Sequence, residues 1–238
     1  MKNYTVTIDV LDAVYDFYPG LSTEDATRIA DLIVDKWDYT GDYNKVADDI
    51  TWYADALDID LFLSADVSDV KIALENNIAA AHIFTENYQP SKSKQLRIGF
   101  DADAVIFSDE SEITFKKKGL KTYLKEEGKS KKPIAPGPFN GFLKKLNIIQ
   151  SNYPADTCPI RIALVTARAA PAHKRVINTL REENIRIDET FFLGGLSKGK
   201  FLKGFSADIF FDDLTENCIE ATSHVSTGHV PYGINNPK

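Results

Sequence analysis

The sequence predicts an α/β protein: a mainly parallel sheet covered by helices on both faces, with a helical extension ahead of it. Three observations predict it. From about residue 59 onward, short apolar runs alternate with stretches of helical periodicity, the rhythm of strand–helix–strand crossovers. The run IRIALVT, Ile160–Thr166, is apolar almost throughout, which suits a strand buried on both faces. Residues 1–58, by contrast, are rich in aromatic and acidic residues and read as helical: STEDATRIADLIVDKW opens on a cap-type Ser22 or Thr23, and Ala26, Ile29, Ile33 and Trp37 recur near helical spacing. The expected division is a helical N-terminal extension over 1–58 and an α/β domain over 59–238.

Within that domain the elements follow in order. LFLSADVSDVKIALENNIAAAHIF reads as a strand over Leu61–Leu63, a helix from about Val67 with Val70, Ile72 and Leu74 apolar, and a strand over Ala79–Phe84. The polar linker TENYQPSKSK leads to a strand over Leu96–Phe100. A lysine-dense insert occupies about 109–138, and GPFNGFLKKLNIIQ then supplies an amphipathic helix. After the strand Ile160–Thr166, PAHKRVINTLREENI predicts a helix with Val176, Ile177 and Leu180 turned inward. FFLGG, a short helix from about Lys198 to Phe205, the strand ADIFFDD, and one more helix and strand complete the pattern.

Composition narrows the function classes. With 238 residues, 43% of them hydrophobic, the chain can bury a sizeable core. A net charge of -7 argues against a nucleic-acid polymer or an anionic membrane surface as partner, because both select a cationic footprint. MKNYTVTIDVLDAVYDFYPG interleaves acidic residues with apolar ones, unlike a signal peptide or a membrane span, so a cytoplasmic location is expected. Cys158 and Cys218 lie outside C-x-x-C spacing and are expected as buried, free core thiols.

In a parallel sheet, ligands gather beyond the carboxyl ends of the strands. Three strand ends here carry polar chemistry: Asp101 and Asp103 at the first, Thr166 at the second, Asp212 and Asp213 at the third, with Lys198 on the approach to the third. Each has an ordinary reading when taken alone. An Asp-x-Asp pair serves turns, Thr166 and Asp212–Asp213 suit helix caps, and a lone lysine is usually solvated. A calcium loop counted from Asp101 would put Glu112 at its twelfth position, but Val105 and Ile106 stand where that loop needs an oxygen ligand and a glycine. The order of the whole set favours one shared site. Four carboxylates brought together repel unless a cation neutralises them, and all-oxygen ligation suits magnesium, with Asp101, Asp103, Asp212 and Asp213 as the candidate metal residues.

As a set, FDADAV, LVTAR, the lysine of LSKGK and IFFDD resemble, in order, the four motifs of the haloacid dehalogenase (HAD) superfamily of phosphoryl-transfer enzymes. LFLSADVSDV, IAAAHIF, FDADAVIFSDESE, APGPFNGFL, CPIRIALVTAR, FFLGGLSKGKFL, IFFDD and HVPYG are similar more narrowly to the cytosolic 5'-nucleotidase type I family, over about Asp60–Gly233. The resemblance implies a HAD-like Rossmannoid three-layer fold with a small cap insert over about 109–138. It also implies Mg2+-dependent hydrolysis of nucleoside 5'-monophosphates by the domain 59–238, with a small-molecule nucleotide as partner and a homo-oligomer left open. Another phosphate ester, transfer to an acceptor other than water, or nucleotide binding without turnover are the alternatives.

Carried over, Asp101 would be the nucleophile that takes the phosphoryl group as an aspartyl phosphate. Asp103 would be the acid and base, able to hold a proton without losing a metal contact, particularly if it ligates through its backbone carbonyl. Thr166 and the backbone N–H of Ala167 would bind phosphoryl oxygens, and Lys198, with Lys200 as its rival, would offset charge on the phosphoryl group and Asp101. Asp212 and Asp213 would hold magnesium, one of them directly.

Ser108, Asp109 and Glu110 follow closely enough to touch substrate, although surface turn residues would look the same, and Arg168 stands either near the phosphate or in a structural ion pair. Eight lysines between Lys116 and Lys132 fit a phosphate-attracting lid or simply a solvated face. His173, His224 and His229 show no metal spacing and are expected to be structural.

Overall fold

The structure, a computed structural model, describes residues 59–84 and 94–236. The helical extension expected over 1–58 lies outside the described residues. The described elements run β1 (Phe62–Ser64), α1 (Val67–Glu75), β2 (Ala80–Ile83), β3 (Leu96–Phe100), α2 (Glu110–Lys129), α3 (Asn140–Ser151), β4 (Ile160–Thr166), α4 (His173–Glu182), β5 (Glu189–Phe192), α5 (Gly199–Phe205), β6 (Ile209–Asp212), α6 (Thr215–Ala221) and β7 (Ser226–His229). The strands form one seven-stranded sheet in the order β1-β2-β7-β6-β3-β4-β5. Every neighbouring pair is parallel except β2 with β7.

Two-residue alternation along the central strands builds the layers. Ile162 and Leu164 of β4 join Phe100, Phe139, Leu143 and Phe211 in one core, while Ala163 and Val165 join Leu202, Phe205 and Phe210 in another. The first core lies under α3 and α4 and the second under α5, giving the expected three layers. Phe100, Phe139, Phe210 and Phe211 are fully buried, and burial of each such side chain stabilises by about 1.5–3 kcal/mol relative to exposure. Gly99 lets α5 approach the sheet, since a Cβ there would lie 2.9 Å from Leu202 Cδ2. A third, smaller cluster of Val70, Ala73, Ile78 and Ala80 fixes α1 to the β1–β2 edge. The start of α1 is set by Asp66, whose carboxylate accepts from the Ser68 N–H at 2.7 Å.

Two features differ in detail from the sequence pattern. In α4, Val176 and Leu180 are buried as expected, but Arg175 and Thr179 complete the inner stripe and Ile177 is only half-buried. The stripe faces a charged partner in α2, so a guanidinium takes a place that hydrophobicity alone assigns to isoleucine. The lysine-dense insert is helical over Glu110–Lys129 and is broken at Gly119, where φ of 75° and ψ of 169° form a conformation open essentially to glycine only. All eight lysines of the insert are exposed. Cys158 and Cys218 are buried and free, as expected. No helix among the described residues is long and apolar enough to cross a membrane.

Candidate active site

Strands β6, β3 and β4 are adjacent, so their carboxyl ends bring the predicted motifs to one rim. The Asp101 N–H donates to the Phe211 carbonyl at 2.8 Å, which extends the β3–β6 register by one residue and places Asp101 beside Asp212. One oxygen from each of Asp101, Asp212 and Asp213 lies within 4.8 Å of the others, and all three residues are buried. Lys198, in the turn entering α5, reaches into this group with Nζ 2.8 Å from Asp101 Oδ1 and 2.6 Å from Asp212 Oδ2. Lys200 is exposed, and of the two lysines it is Lys198 that meets the carboxylates.

The surroundings of the two β6 carboxylates differ. Asp212 accepts from Leu214 N at 2.9 Å and from Asn217 Nδ2 at 3.0 and 3.1 Å, in addition to Lys198. Asp213 accepts from Asn235 Nδ2 at 3.1 Å. Burial, reinforced by neighbouring carboxylates, raises the pKa values of Asp101 and Asp213 well above the ordinary carboxylate range, although Lys198 and Asn235 respectively oppose it. Burial acts to lower the pKa of Lys198, but Asp101 and Asp212 outweigh it and the ammonium is held above its usual value.

These residues fit a hard divalent cation. With all three carboxylates ionised, as a bound cation would favour, one ammonium leaves an excess of two negative charges in a buried site, and every donor is an oxygen. Asp103, expected as a fourth metal residue, places its carboxylate elsewhere. Arg168 holds it in a two-pronged grip, Nε at 2.8 Å from Oδ2 and Nη2 at 2.5 Å from Oδ1. Arg168 thus lies in ion pairs with Asp103 and with Glu127.

The loop that carries Asp103 is tightly shaped. Ala104 has φ of 59°, in the left-handed region, and the Phe107 N–H closes back on the Ala102 carbonyl at 2.9 Å. Gly137 packs against this loop from the segment before α3: its N–H donates to Ile106 O at 2.9 Å, and a Cβ there would fall 2.3 Å from Phe107 O.

The remaining predicted residues take these positions. Thr166 is buried at the end of β4, and its hydroxyl accepts from the Arg168 N–H at 3.2 Å; Ala167 is exposed beside it. The Ser108 N–H donates to the Ala135 carbonyl at 2.8 Å, and Asp109 Oδ2 accepts from the Ile234 N–H at 2.8 Å. Glu110 pairs with Arg175. His229 is buried, with Nε2 3.0 Å from the Asp213 carbonyl and 3.2 Å from Asn236 Oδ1.

The sequence reading missed Asn217, Asn235, Glu127 and Arg175. Arg175 left a signal, a charge within the apolar stripe of a helix. Asn217 sits one turn into the helix after Asp212, which is a second usable signal. Asn235 and Glu127 left none, because both reach the site through contacts distant in sequence. Beside the rim opens a cavity of about 510 Å3, with Asn76, Asn77, Gly137, Asn140, Phe142 and Tyr232 among its walls.

The sequence model of the family described as 5'-nucleotidase matches residues 45–237. This chain belongs to the 5'-nucleotidase family. The match reaches further in both directions than the Asp60–Gly233 span of the motifs. Among relatives of this 5'-nucleotidase-family chain, human "Cytosolic 5'-nucleotidase 1B" is 38% identical over 189 residues, which is 76% of this chain and 30% of that protein. The chain therefore spans about a third of the length of the curated relative it matches. No solved structure matches it significantly.

Proposed function

We propose that this chain is a Mg2+-dependent phosphoric monoester hydrolase that converts nucleoside 5'-monophosphates to nucleoside and phosphate. The observation that carries the reading is the meeting of Asp101, Lys198, Asp212 and Asp213 at adjacent strand ends, in a member of the 5'-nucleotidase family. The catalytic unit is 59–238, with 109–138 as its cap. The name of the human relative supports a cytosolic setting.

In this reading an Asp101 carboxylate oxygen attacks phosphorus, the bond from phosphorus to the ester oxygen breaks, and Asp103 gives that oxygen its proton. Water then attacks the aspartyl phosphate while Asp103 takes a proton from it, which releases phosphate and restores Asp101. Lys198, between Asp101 and Asp212, offsets negative charge on the transferring group, and Thr166 with the Ala167 N–H orients its oxygens. A magnesium ion held by Asp101 and the Asp212–Asp213 pair would neutralise the carboxylate cluster and the incoming phosphoryl group. Asp213, with fewer donors on it than Asp212, is the better direct ligand. In the same reading Ser108 and Asp109, with the amide and aromatic walls of the neighbouring cavity, would meet the nucleoside.

The test is phosphate release from a panel of AMP, IMP, deoxynucleotides and sugar phosphates, with and without magnesium. Release from nucleoside monophosphates that stops on chelation is the expected result. Release only from sugar phosphates, or nucleotide binding without release, would replace this reading.

A further inference from the structure

The grip on Asp103 does not end at Arg168. The third edge of the same guanidinium, Nη1, donates to Glu127 Oε2 at 2.6 Å. Glu127 is in the last turns of α2 and is 4% exposed; its other oxygen, Oε1, accepts from Arg175 Nη1 at 2.7 Å. Arg175 in turn donates from Nη2 to Glu110 in the first turn of the same helix, and from Nε to the Lys132 carbonyl at 2.8 Å just beyond it. The chain Asp103–Arg168–Glu127–Arg175–Glu110 therefore runs from the site to both ends of α2.

A carboxylate this deeply buried is tolerated only with its charge matched, and two guanidinium groups match it here. Arg168 uses its Nε/Nη2 edge on Asp103 and its Nη1 on Glu127, so it cannot turn about its own axis without breaking one of the two. The orientation of the Asp103 carboxylate is thus fixed by where Glu127 stands, and Glu127 stands where α2 is seated. Gly128 next to it packs so closely on Pro171 that a Cβ would lie 2.7 Å from the proline ring, which leaves that seating little play.

We propose that Glu127 is a positioning residue for the reaction, holding Asp103 in its acid–base orientation through Arg168, so that seating of the cap helix and competence of the acid are a single event. The inference rests on the hydrolase reading above. A staple that merely fastened α2 to the domain would slow every version of the enzyme alike. A residue acting through Asp103 matters only while Asp103 is there to be aimed.

The experiment is a double-mutant cycle on the full chain with AMP and magnesium, comparing kcat and KM of wild type, Glu127→Gln, Asp103→Asn and the double variant, with thermal unfolding of each. Glu127→Gln is expected to lower kcat at least about tenfold with KM nearly unchanged, within the range general acid–base catalysis supplies. In the Asp103→Asn background the same change is expected to do less than about twofold further harm, and Glu127→Asp is expected to recover part of the loss. Equal losses in both backgrounds, or no loss in the wild-type background, overturn the inference while leaving the hydrolase reading intact. No turnover by wild type on any monophosphate sinks both. If Glu127→Gln does not fold, Arg168→Lys, which keeps the charge but loses the fork, replaces it in the same cycle with the same outcomes.

Discussion

Lys198 shows how little slack the site has at the level of single side chains. Its ammonium is the cation that sits between Asp101 and Asp212, and it is itself buried. Removing one partner of a buried charge group typically costs about 3–5 kcal/mol, because the charges left behind have no water to turn to. Lys198→Met is therefore expected to lower the melting temperature of the metal-free protein sharply, to recover part of that loss on adding magnesium, and to cut turnover by about a hundredfold or more. Calorimetry with and without the ion, beside a phosphate assay, checks both parts. Asp101→Asn is expected to abolish turnover while the protein unfolds at or above the wild-type temperature, since an amide relieves the repulsion that burial imposes on that carboxylate. A phosphate assay on a variant shown to be folded decides it, and normal activity would remove Asp101 from its role. The meeting of Asp101, Lys198, Asp212 and Asp213 was legible in the sequence because each follows or precedes an apolar run, and a parallel sheet has only one rim for strand ends to meet. The direction of the Asp103 side chain was not legible, because it depends on a glutamate brought in by a helix whose seating no local pattern records.

Among the elements, α2 carries the most consequence for its modest burial. Only Ser111 and Glu127 of its twenty residues are buried, so its place depends on a few contacts rather than on an apolar stripe. Gly128→Ala would push a methyl into the Pro171 ring, and overpacking of this kind costs about 1–3 kcal/mol. The expected outcome is a lower melting temperature with a disproportionate loss of kcat, readable by comparing unfolding curves with turnover; lost stability with unchanged kcat would show that the helix seating and the chemistry are independent. The sequence marked this region by its lysines, which are all exposed, and gave no sign of Glu127 among them. In α4 periodicity placed the helix correctly but favoured Ile177 over Arg175: the charge within the stripe was visible, but the buried glutamate from another element that answers it was not.

For the molecule as a whole, the carboxylate cluster links stability to pH and to metal. The folded protein holds protons on Asp101 and Asp213 at pH values where the unfolded chain, with ordinary carboxylates near about 4, has released them. The stabilisation linked to these protons is complete below the unfolded values and is lost as pH rises through the raised folded ones. Metal-free protein is therefore expected to lose melting temperature as pH climbs from about 5 to 8, and the increase in melting temperature given by magnesium is expected to grow over the same interval, because the ion displaces those protons. Thermal scans across pH with and without the ion test this; a magnesium effect independent of pH would contradict it.

The sheet is mainly parallel, as expected, and among the described strands β2 with β7 is the antiparallel pair. Reversal there means that β1 and β2 begin, rather than finish, on the side where β3, β4 and β6 finish. Residues leading into those two strands, such as Asp60, Asn76 and Asn77, consequently lie on that same side of the sheet and line the neighbouring cavity, although the usual rule for parallel sheets looks only at residues that follow a strand. An edge unit added back to front thus sets amides and a carboxylate on the side of the sheet where the carboxylate cluster lies, on loops that can vary without disturbing Asp101, Asp212 and Asp213.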